Sequence, residues 1–157
     1  MASVPCPDCG APLGGRAGCD AAFQELGARA YENPGFAYRR RAIVDAYCLQ
    51  HPAYILSLKS FAAHLCGLCA AMERQGDPRA DRAIWSNLRV PPGSEKPALP
   101  TDRGRLTVLD VYRSSTVEEF RAAADEWVSA VWSAWKEHHH LARTWLLYSI
   151  DNQRSAR

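Results

Sequence analysis

The sequence predicts an all-α protein, a bundle of four to five helices with a zinc-knuckle-like loop at its N-terminus. Apolar residues recur at helical spacing over several long segments. Pro and Gly cluster between those segments, and a Cys-x-x-Cys motif lies within the first ten residues. The length of 157 residues favours one compact unit. We expect residues 1–19 to form the Cys-rich metal-binding loop and residues 20–157 to form the helical domain.

Capping signals mark the starts of the first two predicted helices. Asp20 is a suitable N-cap for a short helix with Phe23 and Leu26 on its apolar face. Asn33-Pro34 repeats the start signal, because Pro is favoured at the first helical position. The second helix is expected to run through YRRRAIVDAYCLQ and to end before Pro52, which disfavours helical geometry in the residue it follows.

The third predicted helix begins near Pro52 and has the clearest apolar stripe, formed by Tyr54, Leu58, Phe61, Leu65, Leu68 and Met72. Gly76 is a suitable stop. Cys66 and Cys69 form a second Cys-x-x-Cys in this helix, which we interpret as buried, inert thiols. Asp77-Pro78 then begins a short fourth helix, and the prolines of VPPGSEKPALP predict a loop after it.

The last third of the chain predicts one long helix. The segment GRLTVLDVY before it is interpreted as a brief strand or an extended turn. Thr116 and Glu119 form a capping box, from which a single helix is expected to continue to about Leu147. Its apolar stripe contains Phe120, Trp127, Val131, His138, Leu141 and Trp145.

Composition and charge narrow the function classes. The formal net charge is only +2, so weak nucleic-acid binding through the run Arg39–Arg41 ranks last among the hypotheses. No signal segment or apolar run of membrane-spanning length is visible, which predicts a cytoplasmic protein without a membrane partner. In that compartment the six cysteines are expected to be reduced. The sequence contains no phosphate-binding Gly-rich loop and no GxSxG elbow.

Three cysteines near the N-terminus predict a metal site. Cys6 and Cys9 lie in the turn CPDCG, a spacing that lets two thiolates bind one tetrahedral ion. Cys19 is expected to lie just before a helix, whose N-terminal dipole favours a thiolate. The competing interpretation is that these are free or redox-active thiols in a mobile terminus.

The fourth ligand must come from the helical domain or from water. Cys48, His51 and His64 are the candidates in the chain, and we select His51. Four protein ligands are typical of structural zinc, whereas three ligands and a water are typical of catalytic zinc. The leading hypothesis is a Zn²⁺-binding helical protein with a binding or regulatory role towards a protein or small molecule. Its metal ligands are Cys6, Cys9, Cys19 and His51.

A metal-dependent, hydrolase-like enzyme is the alternative hypothesis. Asp45 lies mid-helix among apolar residues, where an unpaired carboxylate is costly, so it needs an arginine, solvent or a cation. His64 borders a row of small residues, and His138 and His139 lie on the last apolar stripe or its edge. These groups are expected to converge with His51 on one catalytic metal inside the bundle. The competing interpretation of each is an ordinary ion-paired or hydrogen-bonded structural residue.

Four motifs together resemble a bacterial family of unknown function. They are CPDCG, VDAYCLQHP, LTVLDV and the W-x-x-W-x-x-H-H pattern of residues 132–139, and VDAYCLQHP is the most specific. The resemblance covers nearly the whole chain and implies a small stand-alone protein, without implying an activity. It also implies recurring positions at Cys6, Cys9, Asp45, His51, His64 and His139.

Overall fold

The structure is a computed structural model that describes residues 3–153; the predicted ranges also include residues 1, 2 and 154–157, which lie outside it. The described residues contain no strand, so the all-α prediction is confirmed. They form seven α-helices, more than the four to five predicted: α1 (Gly15–Glu32), α2 (Arg40–Gln50), α3 (Leu58–Glu73), α4 (Pro78–Ser86), α5 (Val108–Tyr112), α6 (Val117–Ala134) and α7 (His139–Asn152). Three short 3-10 helices cover Pro34–Ala37, Pro52–Tyr54 and Lys136–His138.

Helix α2 is the centre of the bundle. Eight of its eleven residues are buried, so it is covered on nearly every side. It packs against α3 and α6, while α7 covers the other side of α3 and α4 packs on α7. Helices α1 and α5 pack on each other beside α6. No helix among the described residues is both long and apolar enough to span a bilayer.

The side chain of Gln50 is fully buried near the end of α2, with hydrogen bonds to three partners. Its Nε2 group donates to the carbonyl oxygens of Arg103 (3.1 Å) and Leu106 (2.8 Å). Its Oε1 accepts from the indole N–H of Trp127 on α6 (3.0 Å). A buried amide whose hydrogen-bonding groups all have partners holds those partners in defined positions. Gln50 therefore attaches the loop before α5 to helices α2 and α6.

Helix α1 begins at Gly15, five residues before the predicted start at Asp20. Gly14 is its N-cap with φ +89°, a left-handed conformation that glycine adopts without strain. The amides of Gly14 and Gly15 both donate to the carbonyl of Val4, at 2.9 and 2.8 Å. These backbone bonds turn the N-terminal loop directly into the helix, and therefore Cys19 lies inside α1 rather than before it.

Other element boundaries also differ from the predictions. Helix α3 starts at Leu58, capped by the Ser57 hydroxyl, because residues 52–54 form a separate 3-10 turn. The segment GRLTVLDVY contains α5 instead of a strand or an extended turn. Thr107 and Asp110 form a capping box there, and this local stabilisation outweighs the β-propensity of the valines.

The predicted last helix is two helices, α6 and α7, joined by a 3-10 turn. At the break the carbonyl of Trp132 accepts from the amide of Trp135 (3.1 Å) and from Nε2 of His139 (2.8 Å). The His139 ring stacks on the Trp132 ring with centroids 3.7 Å apart. Nε2 of His138 donates to the carbonyl of Ala98 (3.1 Å). His138 is half-buried and does not lie at the centre of an apolar stripe.

A buried carboxylate joins α2 to α3. Both oxygens of Asp45 accept from Nε of Arg41, at 3.0 and 3.1 Å, and Oδ1 also accepts from Nδ1 of His64 (2.8 Å). Burial raises the pKa of Asp45, and the bonds from His64 and Arg41 oppose that rise. The helices meet here at Gly67, where an added Cβ would lie 2.2 Å from Asp45 Oδ2.

Gly67→Ala is therefore expected to lower the free energy of unfolding by about 1–3 kcal/mol, because the methyl group must displace the Asp45 carboxylate. Urea denaturation measures this loss. Gly27→Ala on α1 is the matched control, since a Cβ there meets nothing within 4 Å. The control should be unchanged or up to about 1 kcal/mol more stable. A Gly67→Ala protein as stable as the wild type would contradict the close packing.

Candidate metal centre

The four side chains predicted as metal ligands lie together where the N-terminal loop meets α1 and the end of α2. One ligand atom from each of Cys6, Cys9, Cys19 and His51 lies within 4.8 Å of all the others. Within residues 3–153 this is the only group of three or more Cys, His, Asp or Glu side chains close enough to bind one ion. Cys6, Cys19 and His51 are buried, and Cys9 is partly exposed.

Three of the six distances within this Cys3His cluster lie close to the edges of a zinc tetrahedron. Bond lengths of about 2.3 Å to sulfur and 2.0 Å to nitrogen imply edges of about 3.8 Å between sulfurs and about 3.5 Å between sulfur and nitrogen. The Sγ atoms of Cys9 and Cys19 lie 3.7 Å apart. Nε2 of His51 lies 3.3 Å from Cys19 Sγ and 3.7 Å from Cys6 Sγ. Since the longest separation is at most 4.8 Å, binding an ion requires shifts of only about 1 Å.

The CPDCG turn directs the first two sulfurs to the same side. The amide of Gly10 donates to the Cys6 carbonyl, and the amide of Cys6 donates to the Ala11 carbonyl, both at 2.8 Å. Gly10 has φ +81°, so the turn needs a residue without a Cβ. The turn thereby holds Cys6 and Cys9 as a preformed pair of ligands.

Two arginines attach this turn to the rest of the protein. Arg16 on α1 makes two bonds to the carboxylate of Asp8, at 2.7 and 3.1 Å. The same bonds hold the pKa of Asp8 below its usual value. Arg103 donates to the Asp8 backbone carbonyl (3.0 Å). Because Asp8 lies between the two cysteines of the turn, these contacts fix the position of both sulfurs.

Helix α2, which His51 caps at its C-terminus, orients the imidazole of His51. Its Nδ1–H donates to the carbonyl of Tyr47, one turn earlier in α2, at 2.6 Å. With the proton on Nδ1, the lone pair of Nε2 faces the cysteines, the arrangement that metal-binding histidines use. Tyr47 also stacks on the imidazole, with ring centroids 4.0 Å apart, and on Phe23 at 3.9 Å. The hydroxyls of Tyr47 and Tyr54 both donate to Asp20.

The cluster holds protons that a metal ion displaces on binding. Hydrogen bonding from Cys19 lowers the pKa of Cys9 to about 4, while the pKa of Cys19 is raised by the same bond and by burial. Burial by itself lowers the pKa of His51, but the bonds to Cys9 and Tyr47 outweigh it and the pKa is raised. The lowered pKa of Cys9 favours its thiolate form, whose negative charge attracts a metal cation to this site.

The remaining cysteines are not part of the cluster. Cys48, one candidate for the fourth ligand, is buried, as are Cys66 and Cys69. Burial raises the pKa of Cys48 and Cys69 to about 12 and also raises that of Cys66. All three are therefore neutral thiols at physiological pH, as expected of inert core cysteines.

The catalytic candidates do not converge. Asp45 and His64 contact each other on α2 and α3, whereas His138 and His139 bond backbone carbonyls beside the α6–α7 turn. Together with His51 they do not form one metal-binding group in the described part of the chain. The predicted convergence was wrong because the break after α6 turns the two histidines towards nearby carbonyls. Asp45 is instead paired with Arg41 and His64, in agreement with its interpretation as an ion-paired structural residue.

The arginine run has structural partners. Nε of Arg39 lies 3.2 Å from the carboxylate of Asp125, and Arg41 pairs with Asp45. Arg40 is exposed beside Tyr31. Two of the three arginines thus form ion pairs within the described part of the protein, and Arg40 contacts Tyr31.

The supporting residues of the cluster were missed in the sequence. Tyr47 carries a usable signal, because a spacing of four residues places it on the same face of α2 as His51. Asp20 was interpreted as a helix cap and in fact accepts from two tyrosines. Asp8 and Arg103 are 95 residues apart, so their contact has no local signal.

Comparison with known proteins places the chain in a family. Residues 4–136 match the family model of DUF5946, a family of unknown function, and the chain belongs to that family. This range includes the whole Cys3His cluster and ends before His138 and His139. No curated protein and no solved structure matches the chain.

Tyr47→Leu is expected to weaken divalent-metal binding about 10–100-fold, because it removes the ring that holds the His51 imidazole. Competition against a chromophoric chelator measures the affinity. Tyr47→Phe keeps both the ring and the backbone carbonyl, so its loss should be clearly smaller. Equal affinities for wild type and a folded Tyr47→Leu protein would show that the stack does not orient the ligand.

Proposed function

We propose that this member of the DUF5946 family is a zinc protein, in which Cys6, Cys9, Cys19 and His51 bind one Zn²⁺ as a structural site. The observation that carries the proposal is the convergence of four ligand atoms within 4.8 Å of one another. Three of their six separations are 3.3–3.7 Å, as expected of ligands around a single small ion.

The donor set favours zinc among the divalent metals. Three thiolates and one imidazole form the Cys3His set of structural zinc sites. Oxygen-preferring ions such as Mg²⁺ and Ca²⁺ gain little from sulfur ligands. The Nδ1 bond from His51 to Tyr47 supplies the outer contact that zinc-binding histidines make.

The proposed role of the ion is to join three parts of the chain. Cys6 and Cys9 belong to the N-terminal loop, Cys19 to α1, and His51 to the end of α2. The loop contributes few apolar side chains of its own, so metal binding supplies much of the energy that holds it on the bundle. Metal binding then completes the folding of the domain.

Four protein ligands leave no coordination position for a substrate, so the metal is assigned a structural role and the protein a binding or regulatory one. A protein or a small molecule is the proposed partner, and the cytoplasm remains the predicted location. The hydrolase-like alternative requires these side chains to bind one common metal ion. It is not supported, because Asp45 and His64 lie apart from His138 and His139. The nucleic-acid hypothesis is weakened, because Arg39 and Arg41 already form ion pairs within the protein.

Protein purified without chelators is expected to contain about one equivalent of zinc by mass spectrometry of the metal. Cys9→Ser should lose most of it, because one thiolate is removed. This residue is partly exposed, so the exchange leaves the core intact. Chelation of the wild type should lower the midpoint of thermal unfolding, since metal binding contributes to folding.

Cys48→Ala is the matched control, as it removes a buried thiol of α2 that lies outside the cluster. It should retain the zinc of the wild type. Wild-type protein with less than about half an equivalent of zinc, or a Cys9→Ser variant with full occupancy, would contradict the proposal.

A further inference from the structure

An apolar cavity lies on the opposite side of Tyr47 from the ligand His51. Its volume is about 140 Å³, and it lies between α1, the 3-10 helix Pro34–Ala37, α2 and α6. It is open to solvent, since Phe23, Phe36 and Val44 are only partly buried. The apolar side chains that line it are Phe23, Leu26, Phe36, Ile43, Val44 and Phe120.

The size of the cavity matches one six-membered ring. An engineered apolar cavity of about 150 Å³ in another protein stays free of water and binds benzene. The cavity here has nearly the same volume but opens to solvent, and three of its walls are phenyl rings that favour edge-to-face contact with an aromatic guest. The cavity therefore has the volume and the lining of a binding site for a single ring.

The absence of a side chain at Gly27 keeps part of this cavity unfilled. Gly27 lies in the middle of α1, where glycine costs about 1 kcal/mol relative to alanine. Its φ is not positive, so no turn requires it. A Cβ at this position would meet no atom within 4 Å, so no close packing requires it either. Gly27 lines the cavity, and the missing side chain leaves room for a ligand.

The charge at the cavity favours an anion. Arg40 is the one charged residue among those that line it, and no carboxylate lines it. The Arg40 guanidinium lies 5.1 Å from the ring centre of the exposed Tyr31. Within residues 3–153 it makes no salt bridge, unlike its neighbours Arg39 and Arg41. A carboxylate on the guest can form with Arg40 the ion pair that the protein does not supply.

We infer that this cavity binds a small organic acid, with a single aromatic or alicyclic ring in the apolar space and its carboxylate on Arg40. The site is distinct from the metal cluster, because none of the four metal ligands lines it. Phe23 joins the two sites, with its ring both in the cavity wall and stacked on Tyr47. This ligand site does not depend on the proposed metal site, so either one can be absent without the other.

Phenylacetate is a suitable probe, since it carries one ring and one carboxylate. It is titrated into the purified, ¹⁵N-labelled full chain while amide resonances are followed by NMR. We expect saturable shifts at Gly27 and its cavity neighbours with a Kd of about 1 mM or lower. Benzyl alcohol, the uncharged analogue of similar size, should bind about tenfold more weakly because it forms no ion pair.

Two variants test the assigned contacts. Gly27→Ala should weaken phenylacetate about tenfold or more by filling the cavity, while the helix itself becomes no less stable. Arg40→Gln should bring phenylacetate down to the affinity of benzyl alcohol. Ala28→Gly, one residue further on the exposed side of α1, and Arg79→Gln on α4 are the matched controls, and both should bind like the wild type.

Several results would overturn the inference. One is the absence of saturable shifts at Gly27 up to about 10 mM phenylacetate. Another is a Gly27→Ala protein with a wild-type spectrum and undiminished affinity. Equal binding of phenylacetate and benzyl alcohol to the wild type would remove the role of Arg40. Zinc analysis of the same sample is unaffected by any of these outcomes, so the failure of this site is distinguishable from failure of the metal site.

Discussion

The hydrogen bond from Nδ1 of His51 to the carbonyl of Tyr47 is the contact on which the site depends. It joins the residue that caps the C-terminus of α2 to the last turn of that helix, so α2 fixes the tautomer and the direction of the imidazole. Nε2 is then left to face the three sulfurs from the N-terminal loop and α1. Without this bond the fourth ligand could rotate away from the three sulfurs, and the metal site would lose its link to α2.

Helix α2 carries this role because its polar residues point in different directions and each finds partners. Asp45 contacts His64 of α3, Gln50 bonds the loop before α5 and Trp127 of α6, and His51 contacts Cys6 of the N-terminal loop. A buried polar group bonded to several elements defines their relative positions more narrowly than apolar packing does. The motif VDAYCLQHP thus covers the end of α2 and its cap, and its polar residues connect four parts of the fold. The apolar cavity adjoins the same helix, where Ile43 and Val44 form part of its wall.

Much of this arrangement was predictable from local sequence. The spacing of CPDCG predicts a metal-binding turn, and apolar periodicity predicts the helical class. His51 was selected among several candidates as the fourth ligand, and it lies with the cysteines. The break after α6 was not predictable, because no Pro or Gly lies there and the turn depends on a bond from His139 to Trp132. Helix α5 and the early start of α1 likewise depend on caps and backbone contacts that outweigh local propensity.

X-ray absorption at the zinc edge of the purified protein is the decisive measurement for the Cys3His site, because it counts the ligands around the ion by element. We expect a first shell of three sulfurs at about 2.3 Å and one nitrogen at about 2.0 Å. A shell of four sulfurs would remove His51 from the site. A shell with two sulfurs and oxygen ligands would exclude a closed Cys3His centre and contradict the structural role of the metal.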